Sequence, residues 1–450
     1  MAWIAGLWCI FACSGGSQFV GTSPPLDIPL PISNLMTVVG PDAEGNVRVT
    51  GAPGAVLPGA GVRVSLLATA GASLRPGFSW IASAWAQDAA TESQAGADGS
   101  FQLTLRAKIG DVLRVVQIVS GAESPPVDLT VTGKALPLPV FPKALELRPA
   151  QDELVVAGSL GDEAQLLRLA LEPLPGSFPE PLVTLPQFSG ISGLALESDS
   201  ELAFAVSAAD GGLYRIALDA SEPPALTPLP GALSVDVSSD NGFAVIGGEG
   251  VPSLRFFDIA TGQQTCVVSL VHPERPELPA LRVPYLAVVP PSPGPHVRLV
   301  IVAQFSDLSW ALLERQIHSQ TCNVTVNNYA VLPELREPGA LAASGDGTVA
   351  WVSDRGGDRV FRVEWASGSV AAVEVGEAPL GLALDEARGA LWVVLQGENA
   401  LARVALDDLS VRRRDGVGLS PSHLVVEAVR DRALVLSETD RSLLLLDLDF

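Results

Sequence analysis

The chain has few positive charges and few of the residues that build metal or redox sites. Its 450 residues include 28 Lys and Arg against 50 Asp and Glu, four Cys and four His, and the net charge is −22. Nucleic acid is not expected as a partner, since affinity for it comes from Lys and Arg that neutralise phosphates. The charge favours a cation or a basic protein surface, and the plainer alternative is that the acid only keeps the surface soluble.

Long apolar runs are also missing. No run reaches the roughly 18 residues that a membrane-spanning helix needs, and the apolar start of the chain, residues 1–13, is too short. The sequence instead contains 43 Gly, 36 Pro and many short Val, Leu and Ala runs. This composition is typical of short strands joined by turns and predicts an all-β fold. The length favours two or three domains.

The N-terminal stretch ends its apolar run at a cysteine followed by Gly and Ser. Residues 10–13, IFAC, resemble the lipobox of bacterial lipoproteins, with an aliphatic residue three positions before the cysteine and a small one just before it. The resemblance implies a signal peptide over 1–13, lipid on Cys13 and a flexible tether over 14–35. With Ser14 next, it implies an outer-membrane lipoprotein that faces the periplasm or the cell surface. An ordinary cleaved leader and a buried first strand are the alternatives.

Residues 36–132 alternate apolar and polar residues in six or seven short bursts separated by turn residues, which predicts a small antiparallel β-sandwich. The phrases VTGAPGAVLPGAGVRV, ADGSFQLTL, IGDVLRVVQ and ESPPVDLTVTG resemble a bacterial immunoglobulin-like module of exported proteins. That resemblance implies a spacer or adhesive unit. An insertion before ADGSF carries Phe78, Trp80 and Trp85, which are candidates for a binding loop. The alternative is that this loop packs on the sandwich or on the next domain.

Residues 133–450 contain a unit of about 41 to 54 residues that recurs seven times, the length of a four-stranded propeller blade. Each unit has a short apolar strand, a turn with Asp, Gly or Arg, and further apolar strands, as in ALAASGDGTVAWVS (340–353). The sequence therefore predicts a seven-bladed β-propeller. The last unit stops after its third strand, and KALPLPVF (134–141) is expected to supply the fourth.

The prolines at equivalent places in the last three units carry a second resemblance. Pro338, Pro379 and Pro421, within EPGALA, APLGLAL and SPSHLVV, resemble the YVTN/NHL-type propellers of bacterial surface proteins. The resemblance covers roughly residues 144–450 and implies a propeller fold, without implying a particular function.

The sequence offers little catalytic apparatus. His423 is predicted on an inner strand facing the central channel, His272 and His296 in Pro-rich loops, and His318 near the turn into an outer strand. The sequence has no His-x-x-x-His pair, nucleophile elbow, P-loop or dinucleotide fingerprint. A packed structural role is favoured for His423, since a lone imidazole is a poor catalytic apparatus.

Acidic residues mark the hairpin between the second and third strands of every unit. Carboxylates gathered on one face would suit Ca²⁺ or a basic partner. The alternative is that these acids only form the hairpin turns, in which Asp is common. The candidates for this acidic face are Asp162, Asp210, Glu249, Asp307, Asp358, Glu398 and Asp440. Apart from this calcium, no cofactor is expected.

Two cysteines, Cys266 and Cys322, lie in similar contexts in neighbouring units, QQTC and SQTC. An exported protein meets an oxidising compartment, so a disulfide is possible, and two separately buried thiols are the alternative.

These features favour a non-catalytic binding or scaffold protein of the cell envelope, lipid-anchored, that presents its propeller to an envelope protein or a surface glycan. A hydrolase or lactonase with a metal in the central funnel is the alternative. A third possibility is a structural part of a larger assembly that uses the Trp-bearing insertion.

Overall fold

The computed structural model describes residues 28–448 except 33–34, 42–43, 68–89, 109–110, 132, 172–180, 186–187, 189, 198–200, 251, 290–295, 319–320, 416, 419 and 440. The expected all-β fold is confirmed: strands are joined by turns, with 3₁₀ turns at Pro149–Gln151, Ser239–Asn241, Glu386–Arg388 and Ala428–Arg430. No helix in the described part is long and apolar enough to cross a membrane. The predictions for Cys13, Phe78, Trp80, Trp85 and Asp440 lie outside the described residues.

The first strands form two sheets that share one core. The first sheet holds β1 (Met36–Val39), β2 (Asn46–Gly51) and β5 (Phe101–Arg106), and the second holds β3 (Gly61–Leu67), β4 (Ala90–Gln94), β6 (Val112–Val119), β7 (Ala122–Glu123) and β8 (Val127–Thr130). Burial alternates along β5, so that Phe101, Leu103 and Leu105 point inward while the residues between them are exposed. Val47 from the first sheet and Val62 from the second belong to the same buried cluster. This segment is a β-sandwich.

The following strands form seven antiparallel sheets of four strands each. In the first three, the strands are β10 (Phe141–Arg148), β11 (Glu153–Leu160), β12 (Glu163–Ala170) and β13 (Pro181–Leu185); β14 (Gly193–Leu196), β15 (Leu202–Ser207), β16 (Gly212–Ala217) and β17 (Ala225–Pro228); and β18 (Ala232–Ser238), β19 (Phe243–Gly248), β20 (Ser253–Asp258) and β21 (Gln264–Ser269).

The next three sheets repeat the same order of strands. They contain β22 (Ala280–Val289), β23 (His296–Phe305), β24 (Trp310–His318) and β25 (Val324–Val331); β26 (Pro338–Ala343), β27 (Val349–Asp354), β28 (Arg359–Glu364) and β29 (Ser369–Glu374); and β30 (Pro379–Asp385), β31 (Ala390–Leu395), β32 (Ala400–Ala405) and β33 (Val411–Asp415).

The seventh sheet is completed by a strand from before the first. It contains β34 (Pro421–Glu427), β35 (Arg432–Ser437) and β36 (Ser442–Asp447), and its outer strand is β9 (Gly133–Pro137). Leu443 lies opposite Leu136, and Leu445 lies opposite Lys134. The first strand of each sheet contacts that of the next, and β34 contacts β10, so the seven sheets close into a propeller-like ring.

The ring is stabilised by apolar clusters between neighbouring sheets. Between the seventh and first sheets, Leu434 and Leu443 pack with Leu145 and Val156, all within about 5% exposure. Each fully buried side chain of this kind contributes about 1.5–3 kcal/mol relative to an exposed one. Ion pairs also cross between sheets, as where Arg148 of the first sheet donates to both carboxylate oxygens of Glu201 in the second, at 3.0 Å.

Candidate functional site

In every sheet, the start of the first strand and the hairpin between the second and third strands lie at the same face of the ring. In the fifth sheet the first residue of the first strand, Pro338, pairs with the last residue of the second strand, Asp354. The hairpin between the second and third strands therefore lies beside the start of the first strand. Because the first strands surround the centre of the ring, these hairpins surround its mouth.

A cavity of about 470 Å³, here called the mouth cavity, opens at this face over the fourth, fifth and sixth sheets. Its lining comes from the first strands, the hairpins and the loops that precede the first strands. The lining residues are Arg282, Pro284, Tyr285, Gln304, Trp310, Arg336, Glu337, Pro338, Arg355 and Leu380. None of them was identified as a site residue in the sequence analysis, because they lie in different units and no short motif contains them.

The lining of the mouth cavity is more basic than the chain as a whole. Its lining carries three guanidinium groups and one carboxylate, whereas the whole chain carries a net charge of −22. Charges in a concave, partly apolar site act through less water than those on an open surface, so they attract an oppositely charged group more strongly. The mouth cavity is therefore a local site for an anion on an acidic protein.

The loop that carries Arg336 and Glu337 is fixed by a buried carboxylate. Asp354, at the end of β27, is 0% exposed, and its Oδ1 accepts hydrogen bonds from the backbone N–H groups of Arg336 and Glu337, both at 3.0 Å. The N–H of Arg355 donates to the carbonyl of Glu337 at 2.7 Å. Hydrogen bonds to a charged group are the stronger kind, so Asp354 holds the loop against the fifth sheet.

All three guanidinium groups have neighbours, and Arg282 is held least closely. Arg355 donates to Oε1 of Gln396 in the sixth sheet at 3.1 Å and pairs with Oε1 of Glu337 at 3.4 Å, and Arg336 donates to the carbonyl of Gly356 at 3.2 Å. Arg282 forms an ion pair with Glu249, with Nε 3.8 Å from Oε2, and its side chain makes no hydrogen bond within the described part of the chain. Arg282 thus keeps donors for a ligand.

Tyr285 brings a phenol to the same cavity. Burial raises its pKa above the ordinary value, the charges of Arg282 and Arg355 lower it, and Glu337 raises it. The hydroxyl therefore lies close to these charged groups and stays protonated at neutral pH. It is available as a donor or an acceptor beside the guanidinium groups.

A pair of carboxyl groups lies deeper, on the first strands of the first and third sheets. Burial and, to a smaller extent, the nearby charge of Asp236 raise the pKa of Glu146 to about 8. Burial also raises the pKa of Asp236, to about 6, although the N–H groups of Val237 and Val288 donate to its carboxylate, both at 2.7 Å, and oppose the rise. At neutral pH Glu146 holds a proton and Asp236 is ionised. The sequence could have revealed this pair, because each acid interrupts an apolar inner strand: Glu146 in LELR and Asp236 in VDVS.

The histidines are buried or packed against other rings. His423 is on β34, as predicted, and burial lowers its pKa to about 4, so the ring is neutral at physiological pH. The prediction that His296 lies in a Pro-rich loop is wrong, because it is the first residue of β23 and packs edge-to-face on His318, the last residue of β24, with ring centroids 5.1 Å apart. His272 lies in a loop and packs against Phe305.

Three of the predicted hairpin acids are tied to backbone N–H groups or hydroxyls close by. Asp210 accepts from Oγ of Ser207 at 2.6 Å, Asp358 accepts from the N–H of Ala378, and Glu398 accepts from the N–H of Glu377, the last two at 3.0 Å. Asp358 and Glu398 thereby hold the loop before the sixth sheet, much as Asp354 holds the loop before the fifth.

The other hairpin acids are exposed or paired with arginine. Asp307 bonds to Ser309 and pairs with Arg275, Glu249 lies near Arg282, and Asp162 is exposed. Among the residues that the structure describes, no three His, Cys, Asp or Glu side chains come close enough to share a metal ion.

Cys266 lies on β21, the outer strand of the third sheet, and Cys322 lies between β24 and β25 of the fourth. Their Cα atoms are 5.8 Å apart and their sulfur atoms are bonded. The third and fourth sheets are thus joined covalently as well as by the apolar cluster between them.

Comparisons with known proteins support the fold alone. No protein-family model matches the chain, and no curated protein matches its sequence. Among solved structures, the chain is similar to hydrazine synthase from Kuenenia stuttgartiensis, with a TM-score of 0.56 and 13% identity, over 68% of this chain and 96% of that one. At 13% identity the structural similarity supports the arrangement of the sheets and gives no information about function.

Proposed function

We propose that the protein is a non-catalytic binding protein of the cell envelope, in which a propeller recognises an envelope protein or a surface glycan through its mouth face. In this account the β-sandwich is an immunoglobulin-like spacer and the ring is a propeller of the YVTN/NHL type. Lipid on Cys13 holds the chain to the outer membrane. The observation that carries the proposal is the mouth cavity, which three consecutive sheets line with guanidinium, phenol and apolar groups.

Preorganisation supports recognition at this place. The Arg336–Glu337 loop is bonded to the buried Asp354, and Arg355 is bonded to the neighbouring sheet. Side chains that are already held lose less entropy when a ligand arrives, so more of the contact energy appears as affinity. Concave sites of about 300–1,000 Å³ with apolar walls and a few placed polar groups are where proteins bind small ligands or chain ends.

The test is chemical cross-linking in intact native cells, followed by mass spectrometry of what is attached to the chain. We expect a recurrent partner whose cross-links fall on the mouth face. Cross-links that fall only on the sandwich or on the opposite face would contradict the proposal. The anchor is tested separately: Cys13→Ser should remove lipid labelling and release the protein from membranes, whereas Cys9→Ser should not.

Hydrolysis in the channel is the second candidate function, and the Glu146–Asp236 pair favours it. One carboxyl group that is protonated and one that is ionised at neutral pH are the pair that acid–base hydrolysis needs. A lactone substrate, or a cation held by the same oxygens, would use this pair. In a screen of lactones, Glu146→Gln and Asp236→Asn should each reduce turnover about 100-fold, while Glu374→Gln on an outer strand should not. Turnover that neither channel variant changes would overturn this candidate.

A further inference from the structure

We infer that the mouth cavity binds an organic carboxylate of sugar size, a uronate at the end or branch of a surface glycan, whose carboxylate contacts the guanidinium groups of Arg282 and Arg355. This inference rests on the proposed binding function and names the ligand class of the same site.

The first step is the match between the charged groups. A guanidinium presents its N–H donors in a planar fork that fits the two oxygens of a carboxylate. The cavity holds three such groups, and the Arg282 side chain makes no hydrogen bond within the described residues. The carboxylates of the chain pair with Arg282 and Arg355 only at long range, Glu249 at 3.8 Å and Glu337 at 3.4 Å, so an incoming carboxylate would form the closer contacts with both.

The second step is the size of the ligand. A cavity of about 470 Å³ encloses a small molecule or a chain end. The chain as a whole carries a net charge of −22, so a long polyanion that extended beyond the mouth would meet repulsion from the rest of the surface. A short ligand that places one carboxylate in the cavity and carries little further charge avoids most of this cost. The charge distribution therefore favours a short uronate over a long polyanion.

The third step is the nature of that body. Tyr285, Trp310, Pro284 and Pro338 contribute apolar groups to a lining that is otherwise mostly polar, and Gln304 adds an amide. A sugar ring has one face of C–H groups and a rim of hydroxyls, which matches an aromatic wall with polar groups beside it. A uronate combines this ring with the carboxylate.

The experiment is a calorimetric titration of the full mature chain with digalacturonate. The uncharged disaccharide of galactose is the matched probe without carboxylates, and inorganic phosphate and a short peptide with a free carboxyl end are the competing anions. We expect binding of digalacturonate and at least tenfold weaker binding of the other three probes.

Variants then assign the binding to the mouth. Arg282→Gln and Arg355→Gln should each weaken digalacturonate binding at least tenfold, and Arg355→Lys should weaken it less, because it keeps the charge and loses the fork. Arg412→Gln is the matched control, because it removes the same charge from an exposed position on the outer strand β33. Arg282 makes no hydrogen bond within the described residues, so Arg282→Gln should keep the melting temperature of the wild type.

Three outcomes overturn the inference. Phosphate or the peptide may bind as tightly as digalacturonate, digalacturonate may not bind at all, or Arg412→Gln may weaken it as much as the mouth variants do. The proposed function fails separately, because it predicts partners cross-linked on the mouth face whatever their chemistry. If cross-links fall at the mouth and no uronate binds, the proposed binding function stands and the ligand class is wrong.

Discussion

At the scale of single residues, two carboxyl groups serve the mouth and the channel differently. Asp354 is buried and accepts hydrogen bonds from backbone N–H groups, so it orders a loop. Glu146 lies on a first strand and accepts no hydrogen bond within the described residues, and burial together with the charge of Asp236 raises its pKa to about 8. The same chemical group, a carboxyl, thus serves two purposes because its surroundings differ.

Replacing Asp354 tests the first of these roles. Asp354→Ala leaves two backbone N–H groups without their acceptor, and it should lower the free energy of unfolding by roughly 3 kcal/mol. Asp354→Asn keeps one acceptor oxygen and should cost less. Urea unfolding of both variants measures the difference. Unfolding free energies equal to that of the wild type would show that Asp354 does not hold the loop.

Glu146 predicts a pH dependence of stability whose sign is fixed. Its pKa in the folded state, about 8, lies above the ordinary 4.5, so the folded protein keeps a proton that the unfolded chain loses. Its contribution is complete below about pH 4.5 and is lost as the pH rises through 8, at up to about 1.4 kcal/mol per pH unit.

The measurement is urea unfolding between pH 6.5 and 8.5, a range that lies above the folded-state pKa values of His423 and Asp236, about 4 and 6. The wild type should lose stability relative to Glu146→Gln as the pH rises. A difference between the two proteins that stays constant over this range would contradict the assignment.

At the scale of elements, the strand exchange between β9 and β36 determines whether the ring is closed. Leu136 is buried opposite Leu443, and the N–H of Leu138 donates to the carbonyl of Arg441 at 2.7 Å. This closure joins segments from the two ends of the ring, so it involves the first and the seventh sheet together. A completed seventh sheet also leaves no unpaired third strand at that edge.

Leu136→Ala tests the closure. Truncating a buried leucine costs about 2–5 kcal/mol, and we expect this loss in the unfolding of the whole ring because the seventh sheet packs on the first. Leu160→Ala, at a leucine that is 44% exposed at the end of β11, is the control and should cost under about 1 kcal/mol. Equal losses for the two variants would mean that β9 contributes no more than a surface residue.

The elements were predictable from the sequence and the site was not, for physical reasons. Short apolar strands and turns recur in every unit, and the need for a fourth outer strand pointed to the segment at 134–141, which overlaps β9 (Gly133–Pro137). Local pattern carries this information. Arg282 lies in the fourth unit and Arg336 and Arg355 lie in the fifth, and the packing of neighbouring sheets brings them to one cavity, so no short motif could reveal them. His296 was misplaced because the Pro-rich run before it hid the start of β23.

At the scale of the whole molecule, charge is separated between the surface and the mouth. The chain is acidic overall, while the lining of the mouth cavity carries three positive groups and one negative group. A ring of seven sheets provides a rigid frame in which side chains from three of them can hold this arrangement. The opposite face, which carries the 3₁₀ turns between first and second strands, offers a natural comparison, since Val429 there is 85% exposed.

The central claim is that the mouth face is where this protein recognises its partner. Its most direct test is a photo-reactive amino acid placed at Gln304 in the mouth cavity, and at Val429 on the opposite face, in intact native cells. The account predicts a specific adduct from position 304 that is absent from position 429 and is reduced by Arg355→Gln. Adducts that are the same from both positions, or that form only from position 429, would contradict it.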